Sequence, residues 1–297
     1  MSSLFAESWN VAYRKKQEGL LINDTQIAFK VIKNSYRYWA ADPFIFSHND
    51  KIYIFAELYD YVHRKGIIGY IEFLNGSFNK WHPIIEEDYH LSFPFIFKYN
   101  GEIYIMPESS SSNSLYLYKA VDFPAKWEKQ KVLLSNIKIV DTVPFSYKNN
   151  NYAFTLRINS GDKNTMHIIK FDDFGAIFDE KSISRDDSVT RMAGKVIKNG
   201  STMIRVSQNC EYDYGTGIVF SEFHFDEDNN YKEKVLKNIS YRDVMLDRKM
   251  FVNGLHTYNF NDDFEVIDIK TKRFNIINLL SRIIGKIDRY SYSKRKV

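Results

Sequence analysis

The chain has 297 residues, 44% of them hydrophobic and 16% aromatic, which is enough apolar material to fill the core of one closed domain. A net charge of +4 is too small to indicate a nucleic-acid partner, and we predict none. The single cysteine, Cys210, excludes an intramolecular disulfide, and the lack of any apolar run of about 18 residues argues against a membrane-spanning helix.

The first residues bear on location. The segment from Met1 to Trp9 has neither a basic start nor an apolar run, so no secretory signal is expected in it. Together with the single cysteine, this predicts a cytosolic protein in a reducing compartment.

A motif of about 50 residues recurs along the chain. Each copy opens on a strand-like segment marked by Pro43, Pro94, Pro144 or Gly194, and these landmarks are 51, 50 and 50 residues apart. A turn rich in Asn, Asp and Gly follows, and then a second strand of alternating aromatic and β-branched residues. A period near this length is typical of propellers and repeat arrays.

Two further strand-like runs follow each hairpin, which gives the four strands of a propeller blade. A fifth copy is predicted at residues 254–268, with its outer strands supplied by the N-terminal segments Ser8 to Lys15 and Gln26 to Lys33. Pairing the two chain ends in one blade closes the ring and removes free sheet edges. We therefore predict an all-β fold, a five-bladed β-propeller spanning residues 1–270.

Residues 271–297 have a different period. From Asn275 to Ile287 apolar residues recur at helical spacing, while Arg282, Lys286 and Arg289 lie outside the apolar stripe. This predicts a short C-terminal amphipathic helix and a basic tail. Either the helix packs on the propeller, or it makes a peripheral contact with the anionic inner face of the cell membrane.

The predicted hairpins bring polar side chains to one rim. In an antiparallel hairpin, the start of the inner strand and the end of its partner lie at the same edge of the sheet. Because inner strands line the central channel, these side chains should converge on one mouth of the channel. The acidic groups are Asp42, Glu57, Glu108, Asp141 and Asp268, and the basic or imidazole groups are His90, Arg157, Arg191, Lys195, Arg205 and His256.

Paired carboxylates suit glycosidic-bond chemistry, which needs one proton donor and one base or nucleophile. The candidate catalytic residues are Asp42, Glu108 and Asp141. Trp39 lies near the mouth and could stack on a sugar ring. The other predicted substrate-binding residues are Glu57, His90, Arg157, Arg191, Arg205 and His256.

The same acids also have a structural interpretation. Asp42 precedes Pro43 and could accept backbone N–H groups, while Glu57 and Glu108 could pair with neighbouring arginines. No His, Cys or Asp spacing matches a zinc site, and the sequence has neither an EF-hand loop nor a Gly-rich phosphate loop. We predict no metal and no cofactor.

Five ordered segments resemble one family. The segments are Tyr38 to Phe44, His90 to Phe95, Met106 to Ser109, Asp122 to Trp127 and Gly254 to Thr257. They are similar to the N-terminal domain of plant glucosamine inositolphosphorylceramide transferase and its bacterial relatives, over residues 36–268. The resemblance implies a propeller like those of glycoside hydrolases and fructosyltransferases. It also implies a role in surface polysaccharide synthesis, with an activated or lipid-linked sugar donor and a glycan acceptor.

One departure from the hydrolase propellers affects the choice of reaction. Those propellers place a base Asp in blade one, a second Asp in a middle blade and a Glu acid in a later blade. Asp42 and Asp141 match the first two, but the fourth blade opens on Thr190-Arg191-Met192, so Glu108 would have to act as the acid from blade two.

The leading hypothesis is therefore a glycosyltransferase-like enzyme. Asp42 would activate an acceptor hydroxyl, and Arg157 and Arg191 would hold a nucleotide or lipid diphosphate by charge-assisted hydrogen bonds. The first alternative is a glycoside hydrolase that uses the same carboxylates. The second is a non-catalytic sugar-binding propeller.

Overall fold

The computed structural model describes residues 5–17, 19–23, 26–158, 165–172, 177–183 and 189–274. Strands dominate these ranges, beginning with β1 (Phe5–Lys15) and β2 (Lys30–Val31). Between these two strands lies the short helix α1 (Leu20–Asn23). In the described part of the chain, no helix is long and apolar enough to cross a bilayer.

Four antiparallel sheets, blades one to four, follow in chain order. Blade one contains β3 (Tyr38–His48), β4 (Lys51–Asp60), β5 (Lys65–Leu74), β6 (Ser77–Phe78) and β7 (His82–Ile85). Blade two contains β8 (Ser92–Tyr99), β9 (Glu102–Glu108), β10 (Ser114–Asp122) and β11 (Lys126–Ser135). Blade three contains β12 (Ile139–Tyr147), β13 (Asn150–Arg157), β14 (Thr165–Phe171) and β15 (Ile177–Ile183). Blade four contains β16 (Ile197–Asn199), β17 (Thr202–Asn209), β18 (Gly217–Phe225) and β19 (Tyr231–Ser240).

The fifth blade joins the two ends of the chain. Strands β20 (Val252–Gly254), β21 (Tyr258–Phe260) and β22 (Phe264–Phe274) form one sheet with β1 and β2. Strand β1 pairs with β22 over its whole length, and Nε of Arg14 lies 2.7 Å from Oε2 of Glu265 in the buried interior. The ring is thereby closed, and the prediction of an all-β five-bladed propeller is confirmed.

Aromatic side chains fill the wedges between blades. Phe44 of blade one meets Phe93 of blade two edge to face, with ring centroids 4.9 Å apart. Phe154 of blade three packs in the same way on Phe223 of blade four, at 5.1 Å. The high aromatic content of the sequence is used in this packing, which holds the inner strands at fixed positions around the channel.

Two predicted boundaries need correction. Of the predicted strand Gln26 to Lys33, only Lys30–Val31 is in the sheet. Strand β22 continues four residues past the predicted propeller end at residue 270, to Phe274, because β1 begins at Phe5 and pairs with this extension. The predicted C-terminal amphipathic helix starts at Asn275, outside the described residues, and the longest helix in the described part, α1, has four residues.

Candidate functional site

Seven polar side chains meet at the rim where the inner hairpins are open. We call them the mouth cluster: Asp42, Glu57, Glu108, Asp141, Arg191, His256 and Asp268. Contacts between blades hold the group together, for example the hydrogen bond from Thr257 Oγ1 to Asp42 Oδ1 at 3.0 Å. All seven were predicted to lie on this rim, and Asp268 is the one that was not proposed to act on substrate.

Two of the acids lie on β-bulges with an unusual backbone conformation. Asp42 and Asp141 both have φ of +51°, and the ladder register slips at each of them. A bulge re-aims a side chain, and a non-glycine residue with positive φ is rare outside turns and functional sites. Phe93, on the same kind of bulge in blade two, also has a positive φ, of +44°.

Asp42 links three blades. Its Oδ2 accepts a hydrogen bond from the backbone N–H of Phe93 at 3.1 Å, and its own N–H donates to Asp268 Oδ2 at 2.9 Å. Burial raises the pKa of Asp42 to about 6, and this effect outweighs the neighbouring His256, which acts in the opposite direction. Asp42 is therefore mostly ionised at pH 7 but protonates in mild acid.

His256 lies between two carboxylates. Its Nδ1 is 2.6 Å from Asp268 Oδ2, its Nε2 is 3.3 Å from Asp42 Oδ1, and its ring stacks on Trp9 at 3.9 Å. Burial alone would lower the pKa of His256, but Asp268 and Asp42 together raise it above its ordinary value.

Asp42, His256 and Asp268 are close enough together to consider a metal site, since their ligand atoms all lie within 4.8 Å of one another. However, Asp268 also accepts the N–H groups of His256 and Thr257 at 3.0 and 2.9 Å, in addition to that of Asp42. Because these side chains already pair with one another, and Asp268 also accepts backbone N–H groups, we interpret the trio as a chain of ion-pair contacts that orients Asp42.

Glu108, Asp141 and Arg191 form the other half of the mouth. Nε of Arg191 lies 2.6 Å from Asp141 Oδ2, and its Nη2 lies 3.8 Å from Glu108 Oε2. Ser110 donates to Glu108 Oε1 at 2.8 Å. Burial and the negative charge of Asp141 raise the pKa of Glu108 to about 8, against the opposing effects of Arg191 and Ser110. Glu108 therefore keeps its proton at neutral pH.

Glu57 of blade one lies close to His90, which is in the segment leading into blade two. His90 Nδ1 accepts the N–H of Gly66 at 2.9 Å, which leaves the proton of a neutral ring on Nε2, 3.3 Å from Glu57 Oε1. Burial raises the pKa of Glu57 well above its ordinary value, and Asp42 and Glu108 add to this. Position 66 requires glycine, because a Cβ there would lie 2.5 Å from Glu57 Oε1 and 2.4 Å from the Leu91 carbonyl.

Two predicted arginines are engaged elsewhere. Arg205 is fully buried inside blade four, where its Nη2 contacts Glu233 Oε1 at 3.0 Å and donates to the Val189 carbonyl at 2.9 Å. The prediction that Arg205 binds substrate is therefore not supported. Arg157 is half-exposed and contacts Glu180 of the outer strand β15 at 3.7 Å.

Two other predicted rim residues are not members of the mouth cluster. Trp39 stacks on Tyr59, its partner in the β3–β4 ladder, with the ring planes 6° apart. The next pair along this ladder is Ala40 opposite Leu58. Burial lowers the pKa of Lys195 to about 8, against the opposing negative charge of Asp262. Asp262 lies at the closed end of the β21–β22 hairpin. Lys195 thus belongs to the opposite end of the channel.

Sequence reasoning missed Trp9 and Tyr214, which frame His256. Tyr214 meets His256 edge to face at 5.3 Å, and the guanidinium carbon of Arg191 lies 5.0 Å from the centre of the Tyr214 ring. Trp9 was placed on an outer strand with no role, and Tyr214 lies in an irregular segment with no periodic signal. The motif Gly254 to Thr257, by contrast, did mark the segment that holds Asp42.

The mouth therefore carries two carboxyl groups with different proton affinities. Glu108 keeps its proton near neutral pH, while Asp42 is mostly ionised there. A protonated acid and an ionised base at one opening are the two groups that general acid–base catalysis requires.

Comparison with known proteins identifies the family to which the chain is similar. The family described as glucosamine inositolphosphorylceramide transferase 1, N-terminal, matches residues 23–263. Glucosamine inositolphosphorylceramide transferase 1 of Arabidopsis thaliana is 41% identical over 106 residues, which are 35% of this chain and 14% of the plant protein. The protein of the same name from Oryza sativa subsp. indica is 27% identical over 234 residues, covering 75% of this chain and 31% of the relative. The chain thus spans at most about a third of these curated relatives.

Solved structures share the fold at low sequence identity. The catalytic domain of the GH62 α-L-arabinofuranosidase from Coprinopsis cinerea superposes with a TM-score of 0.58 at 11% identity, covering 77% of this chain and 90% of that domain. The α-L-arabinofuranosidase from Lactobacillus brevis gives a TM-score of 0.54 at 10% identity, with coverages of 78% and 82%. At these identities the similarity concerns the fold alone.

Proposed function

The chain belongs to the family of the N-terminal region of glucosamine inositolphosphorylceramide transferase 1, and we propose that the mouth of its propeller is a carbohydrate site that transfers a glycosyl group by general acid–base catalysis. The observation that carries this proposal is that Asp42 and Glu108, from different blades, lie at one opening with different hydrogen-bond partners. Burial and neighbouring charge raise the pKa of Glu108 to about 8 and that of Asp42 to about 6.

In the proposed reaction, Asp42 accepts the proton of an acceptor hydroxyl as its oxygen bonds to the anomeric carbon of the donor. Glu108 gives its proton to the departing oxygen as the old glycosidic bond breaks. Water in place of the acceptor hydroxyl would make the same step a hydrolysis. Asp268 and His256 orient Asp42, and Arg191 keeps the charge of Asp141 beside Glu108 balanced.

The charges of the mouth do not support the diphosphate clamp expected from the arginines. Arg191 is engaged with Asp141, while Arg205 and Arg157 contact Glu233 and Glu180. Of the five carboxyl groups in the mouth cluster, Glu57 and Glu108 have raised pKa values, so the negative charge of the cluster comes from Asp42, Asp141 and Asp268 and exceeds the positive charge of Arg191 and His256. Such a site attracts a positively charged sugar, and the protonated amine of glucosamine, the sugar in the relatives' name, has that charge.

The test uses synthetic glucosaminides, because cleavage of their glycosidic bond can be followed with water or with a lipid as the acceptor. The chain is incubated with methyl and p-nitrophenyl glucosaminides of both anomers, with water alone or with added inositolphosphorylceramide vesicles, and products are identified by mass spectrometry. The variants are Asp42→Asn and Glu108→Gln. Glu102→Gln is the matched control, because Glu102 lies on the same strand as Glu108, at its far end, with its side chain 51% exposed.

We expect Asp42→Asn to reduce turnover of both substrates about 10²–10⁴-fold, the usual contribution of a general base. Glu108→Gln should reduce turnover of the methyl glycoside far more than that of the p-nitrophenyl glycoside, whose leaving group needs no proton. A glycosylated lipid product indicates transfer, and free glucosamine alone indicates hydrolysis. Saturable sugar binding without turnover contradicts the acid–base proposal and indicates a binding propeller. A cytosolic location and a role in surface polysaccharide assembly stay predictions.

A further inference from the structure

The segment from Cys210 to Thr216, which joins β17 to β18, places one aromatic side chain against both halves of the mouth. The ring of Tyr214 lies 5.0 Å from the guanidinium carbon of Arg191 and has its centroid 5.3 Å from that of His256. Arg191 contacts Asp141 and Glu108, whereas His256 contacts Asp42 and Asp268. Tyr214 thus contacts both the arginine beside the proposed acid and the histidine beside the proposed base.

Tyr214 is partly exposed, whereas the groups behind it are buried. It is 39% exposed, whereas Asp42, Asp141 and His256 are 5%, 2% and 3% exposed. Tyr214 is therefore accessible to a sugar that approaches the buried carboxyl groups. Aromatic side chains with a polar tip are well suited to such a position, because the ring packs on a sugar face while the hydroxyl hydrogen-bonds.

The segment is fixed to blade five by an ion pair. Oδ2 of Asp213 lies 3.1 Å from Nζ of Lys270, a side chain only 4% exposed that also lies 3.1 Å from Glu7 Oε1. The carbonyl of Gly215 accepts the N–H of Leu255 at 2.7 Å. Gly215 has φ of +66°, and a Cβ there would lie 2.7 Å from that of His256, so only glycine allows this close approach. These contacts hold Tyr214 against His256.

The hydroxyl of Tyr214 is a hydrogen-bond donor at all physiological pH values. Burial raises the pKa of Tyr214 well above its ordinary value; Arg191 opposes this, and the carboxylates Asp42, Asp141 and Glu108 add to it. The same charges show that the phenol lies within electrostatic reach of the three proposed catalytic acids.

We propose that Tyr214 is a substrate-contacting residue whose hydroxyl donates a hydrogen bond to the sugar in the mouth, and that the Asp213–Lys270 ion pair is a strap that holds it in position. This inference rests on the proposed function. It adds a specificity-determining contact from a segment that carries none of the predicted site residues.

A purely structural role for Tyr214 would be to cover Arg191, and the variants separate the two roles. Tyr214→Phe keeps the ring on Arg191 and His256 but removes the hydroxyl. Asp213→Asn breaks the ion pair with Lys270 and changes no residue of the mouth cluster, since Asp213 is a half-exposed residue outside it. Asp213→Glu restores the negative charge. Tyr212→Phe is the matched control, since Tyr212 lies in the same segment and is 84% exposed.

The measurement is kcat and KM for the p-nitrophenyl glucosaminide, with the affinity for free glucosamine from calorimetry and stability from urea unfolding. We expect Tyr214→Phe to weaken glucosamine binding and raise KM about tenfold, the effect of one lost hydrogen bond to a ligand, with an unchanged unfolding midpoint. Asp213→Asn should raise KM about threefold, and Asp213→Glu should return it to the wild-type value.

The outcomes distinguish this inference from the proposed function. If the wild type turns over the glucosaminide and Tyr214→Phe matches both wild type and Tyr212→Phe, the inference is overturned while the proposed function stands. The same holds if Tyr214→Phe changes only stability. If the wild type binds glucosamine without turnover, the acid–base function fails, and the affinity of Tyr214→Phe alone decides the inference. If the wild type neither cleaves the glucosaminide nor binds the sugar, the proposed function fails and the role of Tyr214 fails with it.

Discussion

Asp141 and Arg191 lie on neighbouring blades, and Oδ2 of the carboxylate is 2.6 Å from Nε of the guanidinium. The pair joins blade three to blade four at the mouth of the channel, and Arg191 reaches on to Glu108 of blade two at 3.8 Å. One cation therefore contacts two acids from different repeats, balancing the charge of Asp141 while Glu108 keeps its proton. This arrangement explains how a cluster so rich in carboxyl groups can be buried in a folded protein.

Replacing Arg191 with methionine should destabilise the protein at pH 7 by about 3 kcal/mol, because a mostly buried carboxylate loses its cation. Urea unfolding measures the change. Arg157→Met is the control, since Arg157 is 42% exposed and contacts a partly exposed Glu180, so its loss should be below about 1 kcal/mol. Equal losses for the two variants would contradict the role assigned to the Asp141–Arg191 pair.

Glu57→Gln should stabilise the protein, and increasingly so as the pH rises. Burial raises the pKa of folded Glu57 above the ordinary value of 4.5, so above pH 4.5 the native state binds more protons than the unfolded state. Wild-type stability is consequently lost as pH rises toward the folded pKa, while glutamine has no proton to lose.

The measurement for Glu57 is the free energy of unfolding from pH 4 to pH 8. The variant and the wild type should agree near pH 4 and differ by at least about 1 kcal/mol at pH 8, the equivalent of roughly one pKa unit. Glu102→Gln, on an exposed side chain, should follow the wild type throughout. A difference that is constant with pH would show that Glu57 is not an acid of raised pKa.

Glu233→Gln should cost about 3–5 kcal/mol of stability and leave sugar affinity unchanged. The substitution removes the carboxylate that contacts the fully buried guanidinium of Arg205 at 3.0 Å. Glu180→Gln, at a partly exposed ion pair, should cost less than about 1 kcal/mol. Weaker glucosamine binding by Glu233→Gln at equal fold content would return Arg205 to the list of ligand contacts.

Trp39→Ala should weaken sugar binding about tenfold with little change in kcat, because the ring offers a flat apolar face beside the mouth and takes no part in proton transfer. The stack of Trp39 on Tyr59, with centroids 4.8 Å apart, fixes the orientation of that face. Trp39→Phe should retain most of the affinity. Calorimetry with glucosamine measures both variants, and unchanged affinity in Trp39→Ala would remove Trp39 from the site.

The sequence was sufficient to predict the blades and the seven members of the mouth cluster. A period near 50 residues sets the number of blades, and antiparallel pairing fixes which end of each hairpin faces the rim. Asp42, Glu108, Asp141 and Arg191 therefore met as expected, although nothing local to any one of them indicates the others.

Three features were not accessible from the sequence. The bulges at Asp42 and Asp141 depend on how two strands slip in register, which residue type alone does not reveal. In the alternation of side chains along β17, Arg205 occupies a position expected to face the rim. The direction of its side chain depends instead on Glu233, two strands away in β19. Tyr214 is positioned by an ion pair with a strand of another blade, so its role becomes visible only in the fold.

The most direct test of the acid–base account is the pH dependence of kcat for the methyl glucosaminide, measured at saturating substrate so that titration of the free sugar amine does not shape the profile. With the pKa of Asp42 at about 6 and that of Glu108 at about 8, the profile should be bell-shaped. Activity falls below about pH 6 as Asp42 gains a proton, and above about pH 8 as Glu108 loses its proton. The account predicts that Glu108→Gln abolishes the alkaline limb and keeps the acidic one, and a variant profile with the same two limbs as the wild type would contradict it.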